Sequence, residues 1–74
     1  MKIEGLLSRY EKLVQKAYDA ADGDVFINSV RKARDLEKEI EDALLRMEAG
    51  YGEDFANGYI VRFERAQAAL KKAE

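Results

Sequence analysis

Apolar side chains recur every three or four positions along most of the chain, and their phase breaks twice. The longest unbroken stretch runs from Val25 to Ala49 without Pro or Gly. Within it Phe26, Val30, Ala33, Leu36, Ile40, Ala43, Leu44 and Met47 fall on one stripe of a 3.6-residue helix. Ile3, Leu6, Leu7, Tyr10, Leu13, Val14, Ala17, Tyr18 and Ala21 keep the same period before it, and Phe55, Ala56, Tyr59, Phe63, Ala66, Leu70 and Ala73 keep it afterwards. The pattern predicts an all-α protein, an antiparallel three-helix bundle with helices over about 2–21, 24–49 and 53–73 in one domain spanning 1–74. A helical hairpin that completes its core by dimerising is the architectural alternative.

The breaks carry local signals. In Asp22-Gly23-Asp24, Gly23 suits a left-handed residue after a helix end and Asp24 suits the cap of the next helix. Gly50-Tyr51-Gly52 forms the second break, and Glu53 and Asp54 then put negative charge where a helix N-terminus favours it. Ser8 and Glu11 have the spacing of a capping box, but the apolar phase already begins at Ile3, so the earlier start is preferred. Gly5 then lies on the outer side of the helix, at a cost of about 1 kcal/mol relative to Ala. Asn57-Gly58 is ordinarily a turn signal, yet Phe55 and Ala56 are in phase with Tyr59 and Phe63, which places the pair inside the third helix. Arg31 with Asp35 and Lys38 with Asp42 have the spacing of helical ion pairs.

Composition narrows the chemistry. A domain of 74 residues is near the size at which disulfides or a metal often supplement the core, but the chain has no Cys and no His. That inventory removes disulfides, thiol and imidazole catalysis, and zinc sites of the common nitrogen and sulfur type. No cofactor or metal is expected. The apolar fraction of 47% and the charged fraction of 38% suit a folded helical protein. A formal charge of -2 argues against nucleic acid and anionic membrane as partners. With no apolar run of spanning length and no signal-peptide pattern, the expected setting is soluble and cytoplasmic, or recombinant.

Candidate chemistry is sparse. Asp19, Asp22 and Asp24 around Gly23 do not match an EF-hand loop and read as capping and solvated residues. Glu37, Glu39, Glu41 and Asp42 are expected near water, Ser8 and Ser29 lack a base, and Lys12, Lys16, Lys71 and Lys72 lie on polar faces. No enzymatic role is expected. Tyr10, Tyr18 and Tyr59 read as packing residues whose hydroxyls reach the rim, whereas Tyr51 between two glycines either folds over the bundle end or stands exposed.

Apolar residues outside the stripes are more informative. Ile27 and Leu45 fall opposite the core on the second helix together with Arg31, Arg34 and Lys38; Val61 does so on the third, with Arg65 and Ala68. Antiparallel pairing brings these eight residues toward one composite face of helices 2 and 3. The expectation is a non-enzymatic protein-binding module, Ile27, Leu45 and Val61 being the anchors and Arg31, Arg34 and Arg65 the polar rim. The alternative is a structural or self-associating bundle without a ligand. A monomer with a protein partner is expected first, a homodimer second.

Phe26-Ile27-Asn28-Ser29-Val30-Arg31 resembles the Phe-Ile-Gln-Ser-Leu-Lys segment in the second helix of the immunoglobulin-binding domains of staphylococcal protein A, themselves three-helix bundles. Here the segment starts a helix instead of ending one, and no binding residues carry over. The lack of Cys, His, Pro and Trp, the tight Gly-containing turns and the ending Ala-Gln-Ala-Ala-Leu-Lys-Lys-Ala-Glu resemble computationally designed three-helix miniproteins. That resemblance implies a binder.

Overall fold

The computed structural model describes residues 2–74, and within them three helices pack against one another: α1 (Lys2–Asp19), α2 (Gly23–Tyr51) and α3 (Glu53–Ala73). The long dimension of 42 Å is that of α2, whose 29 residues reach about 43 Å at the helical rise. α2 is thus the spine along which α1 and α3 lie side by side and parallel.

The core is built from the predicted stripes. Ile3, Leu6, Leu7, Tyr10, Val14 and Ala17 come from α1, Ala33, Leu36, Ile40, Leu44 and Met47 from α2, and Ala56, Phe63, Ala66 and Leu70 from α3. The Tyr10 and Phe63 rings meet edge to face at 5.4 Å, joining α1 to α3 in the centre of that core. Leu13, Phe26, Val30, Ala43 and Tyr59 flank it partly buried, and Ser29 takes an inner position among the larger side chains. Three residues assigned to the stripes lie outside. Tyr18, Ala21 and Phe55 are exposed, all three near helix ends.

The helix ends depart from the predicted ones for local reasons. α1 stops at Asp19, two residues early, where Ala20 N–H turns back to the Ala17 carbonyl. Asp22, not Asp24, is the cap of α2: its backbone is extended and its carboxylate accepts the Asp24 N–H at 2.8 Å. Gly23 is consequently the first helical residue and not left-handed. At the other end Gly50 and Tyr51 continue α2, so the break narrows to Gly52, the one described residue with positive φ, at 94°. Its N–H closes α2 on the Glu48 carbonyl while its own carbonyl receives Ala56 N–H, so one residue serves both helices. Asn57 and Gly58 are helical within α3, and Ser8 and Glu11 stand mid-helix, not at a cap.

Candidate protein-binding surfaces

Two polar clusters on the bundle surface are held by the fold and govern what remains free. On the α1–α3 side, Arg62 reaches across to three successive turns of α1. Its Nε and Nη2 donate to the two oxygens of Glu11 at 2.9 and 2.7 Å, Nη1 to Glu4 at 3.0 Å and Nη2 to Ser8 at 3.3 Å. The hydrogen bonds to Glu11 and then Glu4 raise the guanidinium pKa further above its usual range, and in return hold the Glu11 carboxyl below its ordinary value. Arg62 did not figure among the sequence-derived site residues. The signal for it was the spacing of Glu4, Ser8 and Glu11, an acidic and polar line along α1 that needed a cation from another helix.

The second cluster joins α1 and α2 to Glu74, the residue that follows α3. Buried Tyr10 donates its hydroxyl to Glu37 at 2.6 Å, the same carboxylate oxygen accepts Arg34 Nη1 at 3.0 Å, and Arg34 Nη2 reaches Glu74 at 2.7 Å. Burial, followed by the hydrogen bond to Glu37, pushes the Tyr10 phenol well above its usual value of about 10. Two expectations are corrected here. The Tyr10 ring packs inside as its stripe predicts, but its hydroxyl is buried against Glu37 instead of reaching the rim, and the Glu37 side chain, only 14% exposed, is drawn out of water to meet it. Along α2 the ion pairs formed are Arg34 with Glu37 and Arg46 with Asp42, not the spacings at Arg31 and Lys38.

The eight residues proposed from sequence are all exposed, and two of them, Val61 and Arg65, line a cleft together with residues of α1. Arg31 and Lys38 stand on the outer side of α2, and Arg34 turns toward the end of α3 through Glu74. Ile27 and Leu45, 52% and 65% exposed, lie about five turns, roughly 27 Å, apart on α2 with the cations between them. Val61 and Arg65 open toward α1. They line a cleft of about 640 Å³ between α1 and α3, together with Val14, Gln15, Tyr18, Gly58, Ala66 and Ala69. Ala68 is exposed beside it.

Gly58 has a particular place in that cleft. It is helical, its φ is not positive, and a Cβ built on it would meet nothing within 4 Å. Neither backbone conformation nor internal packing requires glycine there, yet glycine costs a helix interior about 1 kcal/mol relative to alanine. The cleft also leaves Val61 of α3 and Tyr18 of α1 in contact with water.

At the bundle end, Tyr51 is 69% and Phe55 46% exposed, with ring centroids 5.0 Å apart, and Phe55 continues to Tyr59 at 6.3 Å. Tyr51 also borders a hollow of about 410 Å³ lined by Lys2, Ile3, Leu6, Glu39, Ala43 and Met47 with the Asp42 and Arg46 pair. The acidic residues near Gly23 are accounted for locally: Asp22 caps α2 and Asp19 accepts Gln15. Among the described residues no helix is long and apolar enough to cross a membrane, and no group of three or more acidic side chains is arranged to hold a metal ion. Comparison with protein-family models, curated proteins and solved structures finds no match to this chain.

Proposed function

We propose that this protein is a non-enzymatic protein-binding module that offers its partner a rigid helical surface centred on the α1–α3 cleft. The observation that carries the reading is Gly58, a helical glycine facing open space on the wall of a cleft that also exposes Val61 and Tyr18. A side chain missing where the fold has room for one leaves the helix backbone open to close approach by another molecule. Arg65 stands at the edge with no ion pair among the described residues, free for a carboxylate of the partner. The outer line of α2 supplies two further, separate contact points at Ile27 and Leu45.

The residues invoked are exposed, so binding and folding are separable by mutation. Val61→Glu is expected to leave the thermal midpoint within a few degrees of wild type and to abolish retention of a partner from a soluble extract by the immobilised protein. Ile27→Glu and Leu45→Glu are expected to leave the midpoint equally unchanged and to weaken retention less. A Val61→Glu protein that retains the same partner as wild type overturns the choice of cleft. Concentration-dependent mass in sedimentation equilibrium, abolished by Val61→Glu, replaces the reading with self-association.

A further inference from the structure

The α2–α3 corner lies apart from the cleft and presents a different chemistry. Two aromatic rings, Tyr51 and Phe55, meet at 5.0 Å with their planes tilted by 32°, and are left open to solvent on either side of Gly52. Aromatic side chains are enriched at the centres of protein interfaces. Around them Glu48, Glu53 and Asp54 have no ion pair among the described residues. In the adjoining hollow Asp42 is neutralised by Arg46 at 2.9 Å, but Glu39 is not paired. The cations of that hollow are Lys2 and Arg46, and Arg46 is engaged by Asp42.

From this combination we infer that the corner is a second contact surface, which takes an arginine- or lysine-bearing segment of a partner protein. The negative face of an aromatic ring attracts a cation placed over it, and nearby carboxylates raise the local concentration of that cation. The hollow beside Tyr51 has apolar walls from Ile3, Leu6 and Met47, the surface against which the aliphatic stem of a long basic side chain packs while its charged head stays at the ring. Glu53 and Asp54 also favour the N-terminus of α3, but that role leaves their outer oxygens free and does not account for Tyr51. Lys2 opposes a cationic ligand and is the built-in competitor at the site.

The test uses the full chain and a capped tetra-arginine peptide, followed by amide chemical shifts and calorimetry, with tetra-lysine as the second probe. Expected are shifts concentrated over residues 48–55, affinity that falls with added salt, and tighter binding by arginine than by lysine. The double variant Tyr51→Leu, Phe55→Leu keeps apolar area and removes the ring faces, and is expected to bind at least about fivefold more weakly. Lys2→Gln is expected to bind about twofold more tightly. Both variants alter exposed positions, and circular dichroism verifies that they are folded. The inference is overturned by unaltered affinity of the leucine variant, by shifts spread evenly over the acidic surface, by the absence of peptide binding, or by a wild-type dimer that the leucine variant lacks, which would make a second copy the occupant. Val61→Glu should bind the peptide like wild type, so this surface and the cleft succeed or fail separately.

Discussion

Replacing Gly58 by alanine tests both the fold and the functional reading. Gly58 is the sixth residue of α3, beyond the first turn, and the added methyl meets nothing within 4 Å. The change therefore adds no clash and removes no contact; what remains is the helix-interior preference of alanine, about 1 kcal/mol, part of it through the unfolded chain. For 74 residues the unfolding entropy is about 155 cal/mol/K, so the thermal midpoint should rise by about 6 °C. Gly52→Ala is the matched opposite. At φ 94° and ψ 164° its backbone lies in a region open almost only to glycine, and alanine there should cost about 1–3 kcal/mol although the space around it is equally empty. Urea denaturation of the two variants, monitored by circular dichroism at 222 nm, reads both effects. If Gly58→Ala were destabilising, α3 would not run through Asn57 and Gly58 and the cleft described here would not exist. If it stabilised the fold without weakening partner binding, the methyl would be tolerated in the interface and glycine at that position would have no binding role.

Further outcomes follow from the core and the two polar clusters. Phe63→Ala and Leu36→Ala should each cost about 2–5 kcal/mol in equilibrium denaturation, since both side chains are buried; a curve overlying wild type would remove them from the core. Arg62→Ala should cost about 1 kcal/mol, a modest figure because the pairs it breaks are partly exposed and screened. The folded Glu11 carboxyl is depressed, so its contribution is present above the unfolded carboxylate value near 4.5 and is lost as pH falls through the folded value. Arg62→Ala should accordingly lose stability less steeply than wild type on acidification below that pH, and identical acid profiles would refute the coupling. The Tyr10 phenol is shifted the other way: its stabilisation is complete below pH 10 and declines above it, by up to about 1.4 kcal/mol per pH unit, as the unfolded chain ionises first. Denaturation of wild type and Tyr10→Phe from about pH 9 to pH 11 should show the steeper decline only in wild type.

The inner stripes were legible because the 3.6-residue period is a property of each helix by itself. Tyr10, Ile40 and Phe63 could be placed inside without knowing what faced them. Helix ends were less so. Asp22 and Asp24 are equally able to cap, and Gly23 and Gly52 equally able to take a positive φ; which of each pair does so is decided by a single hydrogen bond or torsion. The exposure of Ile27, Leu45 and Val61 could be read from a helical wheel, but their separation could not. A wheel distinguishes inside from outside and is silent on whether the third helix lies to the left or right of the first two. In the folded bundle Val61 and Arg65 line a cleft with residues of α1. Arg62 was missed for a related reason, since its partners are more than 50 positions away in sequence and meet it only once the bundle has closed.

The grip of Arg62 on Glu4, Ser8 and Glu11 has a mechanical consequence. α1 and α3 are parallel and are never consecutive in the chain, so no loop joins them directly and their register is set through α2 and through the contacts between them. A single guanidinium engaging three rungs works as a ratchet pawl, making a slip of one turn break every bond it holds. Cleaved between Ala20 and Ala21, the molecule would keep the instructions for its own alignment, and the amino-terminal piece added as a separate peptide should seat itself on the remaining hairpin at the original notch.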